Sequence, residues 1–195
     1  STCVFHKNRL WFNDSLNRRR LYASKINSFI SGETSGFSNM FSDNSASTIN
    51  IAFFVDLQCD TNIVGLETIS DRNLVVYCED QIHLLVGNNP PDSGFPTPYF
   101  DFDLLNDQVG AIGQGLIVKK GDNDHYFISN KKTVYQTTLA ADFIDVRPKG
   151  LSDSIYPAFE NLKTDTLSRG FLANHRIKGE LHFFLPSQYD LRYPD

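Results

Sequence analysis

The sequence predicts an all-β protein whose antiparallel meanders are arranged as β-propeller blades with inserted loops. Three observations predict this fold. Short apolar runs rich in β-branched and aromatic residues alternate with clusters of Asn, Asp, Gly and Ser. Sixteen Phe and eight Tyr accompany a single Met and a single Trp, which suits a β-rich core better than a helical bundle. One strand-like motif also recurs along the chain.

The clearest strands lie between residues 108 and 138. Gly115–Lys120 is typical of a strand, 121–124 of a tight turn, and His125–Ser129 of the partner strand. Thr133–Thr137 is a third apolar run after a polar link. We therefore expect a three-stranded antiparallel meander here.

The remaining elements are shorter. Asn/Asp/Ser clusters separate apolar runs near the start of the chain, and Glu79–Asp80 is the turn of a second hairpin. Thr61–Ile69 fits either a strand or a single helical turn, and Ser152–Asp153 opens a short predicted helix. Thr48–Val55 is a further apolar run. The other predicted strand segments are Val4–His6, Arg9–Phe12, Leu21–Ser24, Leu74–Cys78, Gln81–Gly87, Tyr99–Leu104, Phe143–Val146, Leu172–Arg176 and Glu180–Pro186.

Two segments are predicted to be loops that connect strands. Residues 31–50 are rich in Ser, Gly, Asn and Thr, and long loops of this kind usually carry function or contact a partner. Residues 88–98 contain four prolines and are turn and linker material.

A degenerate repeat connects the strands. The segments RLWF at 9, LVVY at 74, HYFI at 125 and LHFF at 181 recur at about fifty to sixty-five residues, a spacing that suits propeller blades with inserted loops. Residues 1–160 are accordingly predicted to be propeller blades, and 161–195 the start of a further blade or a linker. A two-layer sandwich is the alternative.

Composition limits the class of protein. With 195 residues, 41% of them hydrophobic, the chain can bury a sizeable core, and the net charge of -5 disfavours a broad basic face for DNA. Cys3, Cys59 and Cys78 are far apart, so neither a zinc site nor a disulfide framework is predicted. The strand-like start at Val4 suggests a segment of a longer protein.

The sequence contains no catalytic motif with a specific spacing, so no catalytic, cofactor-binding or metal-binding residue is predicted. The acidic pairs are the candidates for a glycosidase, which needs two carboxylates across a cleft, although acids in turns more often cap and solubilise. These pairs are Asp101/Asp103, Asp122/Asp124 and Glu79/Asp80.

Other polar and aromatic residues are candidates for binding groups. His175 and His182 are the closest histidines, and in a single strand they would lie on opposite faces, which disfavours a metal site. Arg18, Arg19 and Arg20 fit a phosphate contact less well than a solvated strand edge. Four tyrosines suit sugar stacking, a subunit interface or simple packing: Tyr99, Tyr156, Tyr189 and Tyr193.

A succession of short segments carries a resemblance to a known family. These segments are Phe5, Arg9–Phe12, Leu21–Ser24, Phe29, Ile63–Leu66, Leu74–Ile82, Gly110–Gly115, Tyr126–Ser129, Val134–Tyr135, Ile144 and Leu151–Ile155. Their order resembles the tail nozzle, or tail tubular protein B, family of short-tailed bacteriophages. The likeness covers about residues 4–160 and consists of strand patterns rather than catalytic signatures. It departs from the family pattern at Asp43–Ser47, where the family often has an Asp-Asp-Pro-like stretch.

The resemblance implies a structural virion protein without enzyme activity. It implies a propeller in a hexameric homo-oligomeric ring that contacts a tail adaptor protein and tail fibres or other tail proteins, with DNA passing through the lumen without sequence-specific binding. Such a protein is assembled in the bacterial host cytoplasm and located in the virion tail. The alternatives are a carbohydrate-binding or glycoside-hydrolase-like propeller domain and a general propeller scaffold for protein interactions.

Overall fold

The computed structural model describes residues 2–25, 52–58, 60–70, 73–88, 99–140, 143–148 and 160–186. The described chain is all-β, as predicted, and consists mainly of four antiparallel sheets formed one after another along the sequence. Within each sheet the strands follow their order in the chain, so every sheet is a simple meander.

The first two sheets have four strands each. The first sheet contains β1 (Cys3–His6), β2 (Arg9–Asn13), β3 (Arg20–Ala23) and β4 (Phe53–Asp56). The second contains β5 (Ile63–Ile69), β6 (Asn73–Cys78), β7 (Ile82–Asn88) and β8 (Tyr99–Asn106). The segment at 61–69 is thus a strand rather than a helical turn, and the hairpin with its turn at Glu79–Asp80 is confirmed.

The third and fourth sheets complete the described chain. The third contains β9 (Ile117–Lys119), β10 (Asp124–Ile128), β11 (Val134–Ala140) and β12 (Phe143–Pro148). The fourth is a hairpin of β13 (Phe171–His175) and β14 (Glu180–Phe184), preceded by a one-turn helix, α1 (Thr164–Ser168). The helix predicted at Ser152–Asp153 lies outside the described residues.

The third-sheet meander is confirmed with one correction. The strand predicted from Gly115 starts later, because Gln114–Leu116 forms a 3-10 turn before β9. In this turn the backbone N–H of Leu116 donates to the carbonyl of Gly113 at 3.0 Å, which curls the chain before it extends.

The recurring motif has a structural counterpart. Its four copies fall in β2, β6, β10 and β14, and each of these is the second strand of its sheet. The sequence repeat therefore marks the same structural position in four successive meanders.

Three apolar clusters join neighbouring sheets. Trp11 and Leu21 of the first sheet pack with Leu66 and Val76 of the second. The other face of the second sheet meets the third in a cluster that includes Tyr77 and Phe127. In the third cluster, residues of the third sheet pack with Leu167 of α1 and apolar side chains of the hairpin. Both faces of β6 and β10 are covered by neighbouring sheets, so these two strands are buried along nearly their whole length.

Candidate functional site

The predicted acidic pairs have different surroundings. Asp101 and Asp103 are exposed on β8, and the Asp101 carboxylate accepts the backbone N–H of Phe102 at 2.8 Å. Glu79 and Asp80 are exposed in the β6–β7 turn, where the Glu79 carboxylate accepts from the amide of Asn62 at 3.0 Å. The Asp101 and Glu79 carboxylates thus hydrogen-bond to neighbouring groups of the protein.

The third pair flanks the β9–β10 turn. Asp122 is exposed, and its carbonyl accepts the backbone N–H of Ser70 at 2.7 Å. The Asp124 carboxylate accepts from the amide of Gln136 at 2.6 Å and from the hydroxyl of Thr138. Asp124 therefore fastens β10 to β11.

The close histidine pair corrects a sequence expectation. His175 and His182 lie in two strands of one hairpin rather than in a single strand, and their ring centroids are 5.8 Å apart. Ala173 is opposite His182 and lies two residues before His175, so Ala173 and His175 are on the same face of β13. Both imidazoles therefore share a face of the fourth sheet. The imidazole of His182 lies 3.1 Å from the Glu180 carboxylate. No group of three metal-binding side chains occurs within the described residues.

Two of the three neighbouring arginines form ion pairs. Arg20 meets Asp56 across β3 and β4 through two hydrogen bonds of 2.6 and 2.7 Å. Arg19 pairs with the exposed Asp60 at 3.0 Å. The Arg20 guanidinium lowers the pKa of the Asp56 carboxyl. The expected solvation holds for Arg18 and Arg19, which are exposed in the turn before β3, whereas Arg20 is half-buried on β3, an interior strand of the first sheet.

Sequence reasoning missed a buried polar network between the second and third sheets. The Nε2–H of His125 donates to the carbonyl of Thr68 at 2.8 Å, so the neutral ring accepts at Nδ1. The Tyr77 hydroxyl lies 3.0 Å from that Nδ1 and 3.0 Å from the hydroxyl of Thr137. The four groups come from β5, β6, β10 and β11 and fix the register between the sheets.

Burial controls the ionisation of this network. It lowers the pKa of His125 to about 4 and raises the pKa of Tyr77. Both side chains are therefore neutral near pH 7. A weak signal was present in the sequence, since His125 and Tyr77 interrupt otherwise apolar strands.

The outer face of the first sheet carries an aromatic row. Phe12, Tyr22 and Phe54 are opposite one another on β2, β3 and β4. The rings of Phe12 and Tyr22 stack at 5.1 Å, and Phe54 is 51% exposed beneath the Arg20 guanidinium, 3.7 Å from the ring centroid. This half-exposed row has the composition of a protein contact surface.

The outer face of the fourth sheet is similar. Phe171 and Phe184 stack at 4.5 Å and are 50% and 44% exposed. Its inner face instead contributes Leu172, Leu181 and Phe183 to the third cluster. Both ends of the stack of sheets thus present paired aromatic rings.

Three of the four predicted tyrosine positions and the long loop lie outside the described residues. Tyr99 begins β8, whereas Tyr156, Tyr189, Tyr193 and the loop at 31–50 lie outside the described residues. Cys3 is exposed and Cys78 is buried. Helices long and apolar enough to span a membrane are absent from the described ranges.

Comparison with known proteins gives no match, either to a family model or to a curated protein sequence.

Proposed function

We propose that this chain is a structural, non-enzymatic part of a short-tailed bacteriophage tail nozzle, and that its sheets are blades of a β-propeller. The observation that carries the proposal is the succession of meanders in chain order, each packed on the next through one of three apolar clusters. Propellers are built from such four-stranded units.

Contacts between first strands support the blade arrangement. β1 contacts β5, β5 contacts β9, and β9 contacts β13. In a propeller the first strand of every blade lies nearest the axis, so neighbouring first strands approach one another. We propose that β1, β5, β9 and β13 are these inner strands.

The surroundings of the acidic pairs support a role without catalysis. A glycosidase requires two carboxyl groups roughly 5–10 Å apart in a cleft. The Asp124 carboxylate is instead engaged by Gln136 and Thr138, and Asp101, Asp103, Glu79 and Asp80 are exposed in a strand or a turn.

The charge of the chain suits a DNA conduit. The net charge is -5. Every Lys or Arg that pairs with a phosphate adds salt-sensitive affinity, which would retard DNA as it passes. We propose that acidic turn residues of some blades face the lumen of the ring.

The nozzle hypothesis also specifies the partners of the protein and its location. We propose a homo-oligomeric ring, a hexamer, that meets a tail adaptor protein and tail fibres or other tail proteins in the virion. The exposed aromatic faces of the first and fourth sheets offer apolar area for packing against further protein. Assembly would take place in the bacterial host cytoplasm.

Electron microscopy of the virus particle tests the proposal. An antibody fragment raised against the purified chain is added to intact particles, and tail images are averaged along and across the tail axis. We expect label at the distal tail and a closed ring with a central channel. Label elsewhere, or a monomeric protein that hydrolyses glycans in a substrate screen, would overturn the nozzle assignment.

A further inference from the structure

The tip of the β13–β14 hairpin presents an apolar side chain between two cations. Ile177 is 95% exposed, the highest value among the large hydrophobic side chains of the described chain. Arg176 and Lys178 on either side of it are also exposed, and neither forms an ion pair with another described residue. Single exposed apolar side chains are common on protein surfaces, but the flanking cations give this one a charged setting. Arg176, Ile177 and Lys178 are named the basic tip.

Hydrogen bonds hold the basic tip in one conformation. The backbone N–H of Gly179 donates to the carbonyl of His175 at 2.9 Å, and the backbone N–H of Lys178 donates to the Nδ1 of His175 at 3.2 Å. The φ of Gly179 is 68°, which glycine adopts without strain. Glu180, the carboxylate that follows the tip, is engaged by the imidazole of His182 at 3.1 Å. A tip that is already ordered loses little conformational entropy on binding.

One corner of the second sheet is acidic. Asp103 and Leu104 are exposed on its edge strand β8, Leu104 to 55%, and the exposed Asp107 follows β8 directly. The chain then reaches Gly110, where an added Cβ would lie 2.3 Å from the backbone nitrogen of Asp80, so the β6–β7 turn adjoins the end of β8. Asp80, Asp103, Leu104 and Asp107 are named the acidic corner. Within the described ranges its three carboxylates form no ion pair.

The sequence around each patch accounts for its charge. Residues 73–118 contain six carboxylates and no lysine or arginine, a larger negative charge than the net value of -5 for the whole chain. The cations of the adjacent β10–β11 turn, Lys131 and Lys132, do not pair with these carboxylates in the part of the chain that the structure describes. Residues 169–179 contain three cations and no carboxylate. The two patches are therefore opposite in charge, and each has an exposed aliphatic side chain.

We propose that the basic tip of one copy of this chain docks on the acidic corner of a second copy. Ile177 then packs against Leu104, and the two cations of the tip face the carboxylates of the corner. Both patches stay exposed within the single chain, so another molecule has to cover them. A tip that meets a different patch on its neighbour gives a head-to-tail contact, which repeats from copy to copy.

A second copy suits the basic tip better than a nucleic acid or an anionic membrane. The net charge of -5 opposes the approach of the whole chain to either polyanion. The acidic corner supplies the opposite charge locally, on a surface with an apolar centre. The use of this contact in a closed ring rests on the proposed nozzle function, whereas self-association in solution depends on the two patches alone.

Sedimentation equilibrium of the full chain tests the contact. The purified chain is measured over a range of concentrations in dilute buffer and again with about 0.5 M sodium chloride, at which surface charges are screened. Two small patches cover less than the area of a stable interface, so we expect reversible association with a Kd of roughly 100 μM. The added salt should weaken it several-fold.

Charge reversal of the tip is the first variant. Arg176→Glu combined with Lys178→Glu should weaken association at least about tenfold, because like charges then face each other across the contact. Arg18→Glu combined with Lys163→Glu is the matched control. It changes the net charge equally at exposed positions outside both patches, so association should stay as in the parent.

The apolar part of the contact has its own matched pair. Leu16 is 93% exposed in the β2–β3 turn, almost as much as Ile177, but its neighbours Ser15 and Asn17 are uncharged. Ile177→Ser should weaken association several-fold, and Leu16→Ser should leave it unchanged.

Mixing two variants tests which patches meet. Asp103→Lys combined with Asp107→Lys should abolish self-association, as should the reversed tip. An equimolar mixture of these two proteins should associate again, because each supplies the native patch that the other lacks. All four positions are exposed, so the variants should fold, and circular dichroism checks this.

Four results would overturn the proposal. They are a monomeric parent at every concentration, equal loss of association in the Arg18 and Lys163 control, a mixture that stays monomeric, and binding of phosphatidylserine vesicles through Ile177 without self-association. A monomeric chain that still labels the distal tail would reject this contact alone. Self-association of a chain that labels elsewhere would reject the nozzle assignment alone.

Discussion

At the scale of single residues, Gly110 is the described glycine at which an added Cβ atom would come closest to backbone atoms. A Cβ atom at this position would lie 2.3 Å from the backbone of Glu79 and Asp80 and 2.4 Å from the Cys78 carbonyl oxygen. Those atoms belong to the hairpin turn and have little freedom to move. The adjacent Ala111 N–H donates to the same Cys78 carbonyl at 2.8 Å and locks the contact.

Gly110→Ala should therefore destabilise the protein by about 3 kcal/mol, because overpacking against backbone has no local relief. Gly113→Ala is the matched control, since the one described atom that a Cβ there meets within 4 Å is the Ser168 carbonyl oxygen at 3.5 Å, and the φ of 179° suits any residue. Urea unfolding of both variants measures the difference. Equal free energies of unfolding for the two variants would show that the backbone of the turn at 79–80 moves to accommodate the added methyl group.

Phe127 is a second residue whose surroundings allow a sharp expectation. It is fully buried in β10, and its ring lies 5.1 Å from that of Tyr77 across the seam between the second and third sheets. Phe127→Asp places an unpaired carboxylate in this cluster at a cost of several kcal/mol, so the variant should unfold or precipitate.

Leu104→Asp is the control for Phe127→Asp. Leu104 is 55% exposed on β8, so a carboxylate there remains hydrated and should change stability by less than about 1 kcal/mol. Thermal unfolding followed by circular dichroism compares the two variants. A Phe127→Asp protein that melts like the parent would contradict the assignment of β10 to the core.

At the scale of elements, the 3-10 turn before β9 covers the outer edge of β5. Among the described strands of the second sheet, β5 pairs with β6 alone, with a register shift between Ile63 and Gly65. The amide of Gln114 replaces a neighbouring strand there: its oxygen accepts the backbone N–H of Leu66 at 2.8 Å, and its nitrogen donates to the Leu66 carbonyl at 3.4 Å. The Gln114 side chain, from the 3-10 turn before the third sheet, thus bonds the edge of β5 as a further strand would.

Gln114→Leu keeps a similar volume but removes both bonds to Leu66. It should cost about 1–3 kcal/mol, because a partly buried N–H loses its acceptor. Gln108→Leu, at an exposed position, is the control. Hydrogen exchange provides a local readout: the Leu66 amide should exchange faster in the first variant only. An unchanged exchange rate of the Leu66 amide in Gln114→Leu would show that the Gln114 side chain does not stabilise this part of β5.

The order of elements was predictable because the strands are short, aromatic and separated by turn residues. The β6–β7 hairpin follows directly from two apolar runs around Glu79–Asp80. The contact of the 3-10 turn at Gln114–Leu116 with β5 was not predictable, because the Gln114 amide bonds Leu66, 48 residues earlier in the chain. The placement of His175 and His182 was missed for a similar reason, since strand pairing and not spacing brings them together.

At the scale of the whole molecule, buried neutral histidines couple the sheet contacts to pH. His6 lies at the contact of the first two sheets, and His125 at the contact of the next two. Burial lowers the pKa of each to about 4, below the value of 6.5 that applies when the chain is unfolded. Burial also lowers the pKa of His83. The native state therefore binds fewer protons than the unfolded state between these pH values.

The protein should accordingly be fully stable above about pH 6.5 and lose stability as the pH falls toward 4. The loss for a fully buried histidine with these pKa values is roughly 3 kcal/mol. Glu67 opposes this trend: burial raises the pKa of its carboxyl, so the folded state holds this proton more tightly than the unfolded state and gains stability from it as the pH falls.

Melting temperatures measured between pH 7.5 and 4 test this coupling. His125→Gln should flatten the dependence, whereas His182→Gln, at the partly exposed face of the hairpin, should retain it. The groups that face His125 are Tyr77, Asp124 and Lys119, and they remain in both variants. A melting temperature independent of pH in the parent, or an unaltered slope in His125→Gln, would contradict the coupling.

The sequence by itself determined the all-β class, most of the strands and the repeat that marks the second strand of each sheet. These features depend on local alternation, β-branched and aromatic residues and turn chemistry, all of which act over a few neighbouring residues. Only the tertiary structure decided how the sheets meet. The bonds between Tyr77 and His125 and between Gln114 and Leu66 join residues far apart in the chain. Such contacts form when sheets pack face to face, and no local pattern encodes them.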